Sequence, residues 1–128
     1  MRWGAPVLVA AALCGCSAEP DPVAPVAGPI TLDCGQGFEA LARAINERPG
    51  IRPAPIEPSE PYLAFTEADS SASYILTRDG APAHPAILRQ VRVSDGQGRR
   101  MVHDGCAFGD PAAFEAFKTY WDTVAAAR

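Results

Sequence analysis

Proline spacing limits where this chain can form regular structure. Four prolines fall within the fourteen residues 17–30, namely Pro20, Pro22, Pro25 and Pro29. Because proline lacks a backbone N–H and favours the extended polyproline II conformation, this segment is expected to be a semi-rigid spacer. The spacer leaves residues 31–128 for one folded domain, a length that suffices for a modest hydrophobic core.

Composition excludes several classes of protein. Hydrophobic residues make up 48% of the 128-residue chain and charged residues 20%, which is typical of a globular protein and not of a disordered or fibrous one. The formal net charge is −4, whereas a nucleic-acid-binding protein would carry a basic stripe. We therefore expect a globular domain that does not bind nucleic acid.

The first residues of the chain have the layout of a secretory signal. Arg2 supplies a positive charge, an apolar run covers residues 5–13, and small residues and cysteines follow. This order of charge, apolar core and small residues directs a chain out of the cytoplasm. Since the apolar run is too short to cross a bilayer, it predicts a cleaved signal rather than a permanent membrane helix.

The end of this signal, Leu13-Cys14-Gly15-Cys16, resembles the lipobox of bacterial lipoproteins. In that family a branched apolar residue stands three positions before an invariant cysteine and a small residue stands directly before it. Leu13, Gly15 and Cys16 match this pattern, while Cys14 departs from the usual Ala, Ser or Thr. The resemblance implies cleavage before Cys16, followed by attachment of diacylglycerol to its sulfur and of a fatty acid such as palmitate to its amine. Ser17 then implies transport to the outer membrane, with the protein facing the periplasm.

The resemblance also implies an anchor made of lipid. Several acyl chains together hold a protein stably on a bilayer, where one chain would not. Residues 1–15 would be the signal peptide, 16–30 the acylated cysteine with the spacer, and 31–128 the single domain. Two alternatives stay open: lipidation of Cys14, and an ordinary cleaved signal whose cysteines occur by chance.

Two amphipathic helices are predicted, one near each end of the domain. The first is stopped by Pro49-Gly50. The second begins with Asp110 as its N-cap and Pro111 in its first turn, where the missing N–H costs nothing. The apolar positions are Phe38, Leu41, Ala42 and Ile45 in the first helix and Phe114, Phe117, Trp121 and Val124 in the second.

Four β-like runs lie between the helices, after a proline-rich connector. Turn residues separate them, so strands are predicted at residues 62–67, 73–78, 86–94 and 99–106. Short connections favour an antiparallel meander. The predicted fold class is α+β: a two-layer sandwich of order α-β-β-β-β-α, with a four-stranded antiparallel sheet and both helices on one face.

Cys34 and Cys106 are the two cysteines of the predicted domain. An exported bacterial domain folds in an oxidising compartment, so we predict a disulfide between them. Closing a loop of about seventy residues stabilises a fold by roughly 4 kcal/mol in the chain-entropy description. The alternative is a nucleophilic cysteine with His103 as its base, but the sequence has no local protease signature to support it.

Strand alternation predicts a candidate binding face. If Cys106 faces the helices, Met101 and His103 point to the other side of the sheet. A bulge at Asp104-Gly105 would reverse this parity. An open face that mixes apolar, amide and basic side chains suits contact with a partner, and an ordinary mixed surface is the alternative. The predicted face consists of Leu88, Gln90, Arg92, Met101 and His103.

The sequence contains no recognised catalytic motif, and its ligand count predicts neither a metal site nor a cofactor. Arginines cluster around the last predicted hairpin, and guanidinium groups match carboxylates and phosphates. We therefore predict a non-enzymatic envelope accessory or binding module whose partner is an envelope protein or an anionic glycan. The alternatives are a small envelope hydrolase that uses His103 and Asp104, and an inhibitor of an envelope enzyme. The clustered arginines are Arg89, Arg92, Arg99 and Arg100.

Overall fold

The computed structural model describes Gly15 and residues 28–127. The predicted signal cleavage, the lipidation site Cys16 and most of the predicted spacer lie outside these residues. No helix in the described part is long and apolar enough to cross a membrane. The elements are, in order, a 3-10 helix Cys34–Gln36, α1 Phe38–Asn46, β1 Arg52–Ala54, β2 Tyr62–Thr66, β3 Ala72–Thr77, β4 Ala86–Asp95, β5 Gly98–Ala107 and α2 Pro111–Ala126.

The strands form one antiparallel sheet in the order β1-β2-β3-β4-β5. Each strand pairs with the next in sequence, so the α+β class and the meander are confirmed. The predicted number of four strands is wrong, because β1 lies in the proline-rich connector. Pro53 is tolerated there since β1 is an edge strand, where a missing N–H need not interrupt a hydrogen-bond ladder.

The two helices pack on opposite faces of the sheet, which makes three layers. Leu41 and Ile45 of α1 pack in one cluster with Ile87. Phe114 of α2 packs in a second cluster with Leu88. Since Ile87 and Leu88 are consecutive residues of β4, their side chains point to opposite faces. The prediction that both helices cover one face is therefore wrong.

The central strands explain why both faces need cover. Tyr74, Ile75 and Leu76 are consecutive and buried in β3, and Ile87 and Leu88 are consecutive and fully buried in β4. A strand that is apolar at every position has to be covered on both sides, whereas an alternating strand leaves one face to water. One helix on each face satisfies this requirement.

The sequence signal for the start of α2 and the pairing of the last hairpin agree with the structure. The Asp110 side chain accepts a hydrogen bond from the Ala112 N–H, and Pro111 is the first residue of the helix. This confirms the predicted N-cap. The ladder between β4 and β5 is continuous, so there is no bulge at Asp104-Gly105.

A disulfide joins Cys34 to Cys106, whose Cα atoms are 5.5 Å apart. Cys106 is 1% exposed and pairs across the strands with Ile87, on the side that α1 covers. The bond therefore ties the 3-10 helix before α1 to the strand before α2, and the predicted pairing is confirmed. Because both sulfur atoms are bonded, neither cysteine is available as a nucleophile.

Gly105 lets α2 approach the sheet closely. A Cβ at this position would lie 2.3 Å from the Ile87 carbonyl oxygen and 2.9 Å from Cζ of Phe114. We expect Gly105→Ala to lower the free energy of unfolding by about 1–3 kcal/mol, because backbone or helix has to move, and urea denaturation measures this. The control is Gly96→Ala, where a Cβ would meet nothing within 4 Å. Equal losses in the two variants would show that close packing at Gly105 is unimportant.

Candidate functional site

A row of polar residues crosses the sheet on the face that α2 covers. The strand register places one member of the row in each of the five strands, directly opposite the next member. Side chains in such a register share a face of the sheet. We call this set the polar row, and its members are Arg52, Thr66, Ser73, Gln90 and His103.

The polar row runs beside an apolar row on the same face. Ile75 and Leu88 are paired across β3 and β4 and lie two residues from Ser73 and Gln90, respectively. The apolar row packs against Phe114 and its neighbours in α2. The helix thus covers the apolar row with its aromatic residues and reaches the polar row only in its C-terminal half.

His103 connects the polar row to α2. Its Nδ1 contacts the Asp122 carboxylate, and its side chain is 12% exposed. Burial, assisted by the positive charge of Lys118, lowers the pKa of His103 below its usual value. Because a carboxylate can only accept, Nδ1 is the donor in the contact with Asp122.

Three buried side-chain nitrogens in this region have no hydrogen-bond partner among the residues that the structure describes. They are Nε2 of Gln90, Nε2 of His103 and Nε1 of Trp121. Gln90 is 8% exposed and Trp121 is 7% exposed. Buried polar groups are normally satisfied by protein, water or ligand, so these three nitrogens are candidate contacts for a buried water or for a ligand.

A groove of about 350 Å³ lies beside these groups, between the polar row and the C-terminal half of α2. Its floor comes from β3, β4 and β5, and one wall comes from α2. The apolar part of its lining is Met101, Val124 and Ala125, together with the Trp121 ring. The remaining lining residues are Ser73, Gln90, Arg92, Arg99 and Arg100.

The charged residues that line the groove are all arginines. Arg100 is paired with Asp95, whose carboxylate oxygen lies 3.0 Å from Nε. Arg92 and Arg99 are exposed, and within residues 28–127 neither forms an ion pair. Although the whole chain is acidic, the groove therefore presents two guanidinium groups that are free to bind an anion.

The predicted binding face lies on one side of the sheet, but that side is not open. Leu88 is 0% exposed because α2 packs directly on it. The prediction that Leu88 belongs to an exposed binding face is therefore wrong. Gln90 is also buried. Arg92 and Met101 line the groove, whereas His103 lines a neighbouring cavity together with Met101 and Asp122.

Strand alternation predicted which sheet residues share a face, but it could not predict that Trp121 of the last helix lies beside them. The apolar spacing of the last helix identified Trp121 only as a core residue. Its indole ring does pack in the core cluster beneath α2, yet it also forms part of the groove wall. Ser73 carried no signal beyond its position in a predicted strand.

The pair proposed for the hydrolase alternative is separated by the sheet. Asp104 follows His103 in β5 and so points to the other face, where it pairs with Arg89. His84 lies elsewhere, with Nδ1 3.1 Å from the Thr77 hydroxyl. Residues 28–127 contain no group of three or more His, Cys, Asp or Glu side chains placed to hold a metal ion.

The end of the predicted spacer is held on the α1 side of the sheet. The Ile30 N–H donates to the Tyr74 hydroxyl at 2.7 Å, and the Ile30 carbonyl accepts from Nη1 of Arg89 at 2.6 Å. Tyr74 and Arg89 are cross-strand neighbours whose side chains share the α1 face. The chain therefore enters the domain on the side opposite to the groove.

No protein family matches this chain, and no similar curated protein or solved structure was found. The described part of the chain is a small disulfide-linked α+β domain with a cationic groove.

Proposed function

We propose that this chain is a lipid-anchored, non-enzymatic binding module of the bacterial envelope, held on the outer membrane and facing the periplasm. The observation that carries the binding role is the groove, which combines unpaired arginines with buried polar groups that lack partners. Five of its lining residues are polar or charged and four are apolar, so the groove offers a ligand both hydrogen bonds and apolar contact. The lipobox-like sequence around Cys16 supports the anchor.

The path of the chain supports this arrangement. The spacer joins the domain at Ile30, on the α1 face, while the groove lies on the α2 face. A domain tethered in this way can hold its α1 side towards the membrane and leave the groove open to the periplasm. The proline-rich spacer then sets the distance between the domain and the lipid.

The anchor is tested by changing each candidate cysteine separately. We expect Cys16→Ser to abolish acylation and to move the protein from the membrane fraction to the soluble fraction, because only a cysteine thiol can carry the thioether lipid. Mass spectrometry of the N-terminal peptide and fractionation of expressing cells measure both effects.

Cys14→Ser is the matched control, since it removes a cysteine two residues away and leaves the proposed lipid site intact. Its product should begin at an acylated Cys16 and remain on the membrane. An unacylated wild-type protein that starts at Met1 would refute the anchor. If Cys14→Ser lost acylation while Cys16→Ser kept it, Cys14 would be the lipidated residue.

A further inference from the structure

We infer that the groove beside α2 binds an acidic sugar unit through its carboxylate and hydroxyl groups, an inference that rests on the proposed role as a binding module. The observations that carry it are the charge of the groove, the hydrogen-bonding groups of its floor and the apolar character of its wall.

The positive charge of the groove favours an anionic ligand. Arg92 and Arg99 lie on the same face of the last hairpin, since each pairs across the strands with a residue of that face: Arg92 with Met101, and Arg99 with Ser94. No carboxylate side chain lines the groove in the described part of the chain. A ligand carboxylate can therefore accept hydrogen bonds from Arg92 or Arg99 without competition from an acid, whereas Arg100 is already paired with Asp95.

The floor of the groove suits the hydroxyl groups of a sugar. Ser73 and Gln90 are directly paired on β3 and β4 and supply a hydroxyl and an amide. Trp121 adds an indole N–H, which can only donate. The nitrogens of Gln90 and Trp121 have no partner in the described part of the chain but are themselves buried, so a ligand hydroxyl reaches them only when the Gln90 or Trp121 side chain shifts towards the groove.

The wall and the size of the groove fit a single ring. Met101, Val124 and Ala125 offer apolar surface to the C–H face of a sugar. The volume of about 350 Å³ is at the small end of ligand sites, which range from about 300 to 1,000 Å³. The groove thus matches one charged ring rather than a long stretch of polymer.

Tryptophan fluorescence provides a direct test, because Trp3 and Trp121 are the two tryptophans of the chain. In full-length Trp3→Phe protein, purified in a polyoxyethylene detergent, the emission comes from the groove whether or not the signal peptide has been cleaved. The probe is trigalacturonic acid, and its methyl ester, which has the same rings without the charges, is the matched control. We expect saturable binding of the acid and none of the ester.

Variants place the binding in the groove. Arg92→Gln and Arg99→Gln should each weaken binding of trigalacturonic acid about tenfold, the effect of losing a charge-assisted hydrogen bond. Arg43→Gln makes the same charge change at an exposed position of α1 and should have no effect. Equal binding of acid and ester, equal losses in all three variants, or no saturable signal would overturn the inference.

Two further results separate the sugar from a simpler ligand and from the anchor. If inorganic phosphate at the same concentration saturates the signal as trigalacturonic acid does, the groove is a plain anion site and the sugar assignment is wrong. Acylation of Cys16 is read by mass spectrometry in the same preparation. A failed titration with an acylated protein therefore rejects the ligand alone, and a successful one without acylation rejects the anchor alone.

Discussion

Loss of the disulfide should lower the free energy of unfolding by about 4 kcal/mol, the largest effect we expect from a single bond in this domain. Cys34 and Cys106 are 72 residues apart in sequence, so the bond removes much of the freedom of the unfolded chain. The change to make is Cys34→Ser, because Cys34 is exposed whereas a serine at the buried position 106 would place a hydroxyl in the core. Urea denaturation followed by circular dichroism measures the loss.

Reduction of the wild-type protein is the matched comparison. Wild-type protein in excess reductant should unfold at the same urea concentration as Cys34→Ser, since both lack only the covalent link. Adding reductant to Cys34→Ser should then change nothing. Wild-type stability that does not respond to reductant, or two reactive thiols in the unreduced unfolded domain, would contradict a stabilising disulfide.

Glu67→Gln should cost about 3 kcal/mol of unfolding free energy, because it leaves a buried arginine without its counter-charge. Nε of Arg48 lies 2.7 Å from the Glu67 carboxylate, and the two side chains are only 10% and 8% exposed. Glu67 also accepts a hydrogen bond of 2.7 Å from the Tyr74 hydroxyl. Burial and this hydrogen bond raise the pKa of Tyr74 to about 12, so the hydroxyl keeps its proton and continues to donate to Glu67 under alkaline conditions that ionise an ordinary tyrosine.

An exposed ion pair provides the control for Glu67. Glu115 pairs with Lys118 on α2 at 3.2 Å, with side chains that are 69% and 31% exposed. Glu115→Gln should therefore cost less than about 1 kcal/mol. Combining Glu67→Gln with Arg48→Met removes the uncompensated charge and should recover part of the loss. Equal effects of Glu67→Gln and Glu115→Gln in urea denaturation would show that the buried pair contributes no more than a surface pair.

Only part of the groove could be predicted from the sequence. Alternation along the last two strands was sufficient to group Gln90, Arg92 and Met101 on one side, and the register places them there. That side was expected to be open, because nothing in the alternation shows what packs on it. The polar row itself depends on register across five strands, and register beyond adjacent strands is set by the folded sheet.

What the sequence determined by itself is local. Turn residues and period-two patterns located β2 to β5 to within a residue or so, and Asp110-Pro111 marked the start of α2, because these signals depend on chain neighbours. The disulfide was predicted by counting cysteines on the expectation that the domain folds in an oxidising compartment. The tertiary structure alone decided which face each helix covers and whether the proline-rich connector adds an edge strand. The apolar stripe of α2 shows that the helix is buried, but β3 and β4 offer apolar residues on both faces, and only the packed chain selects between them.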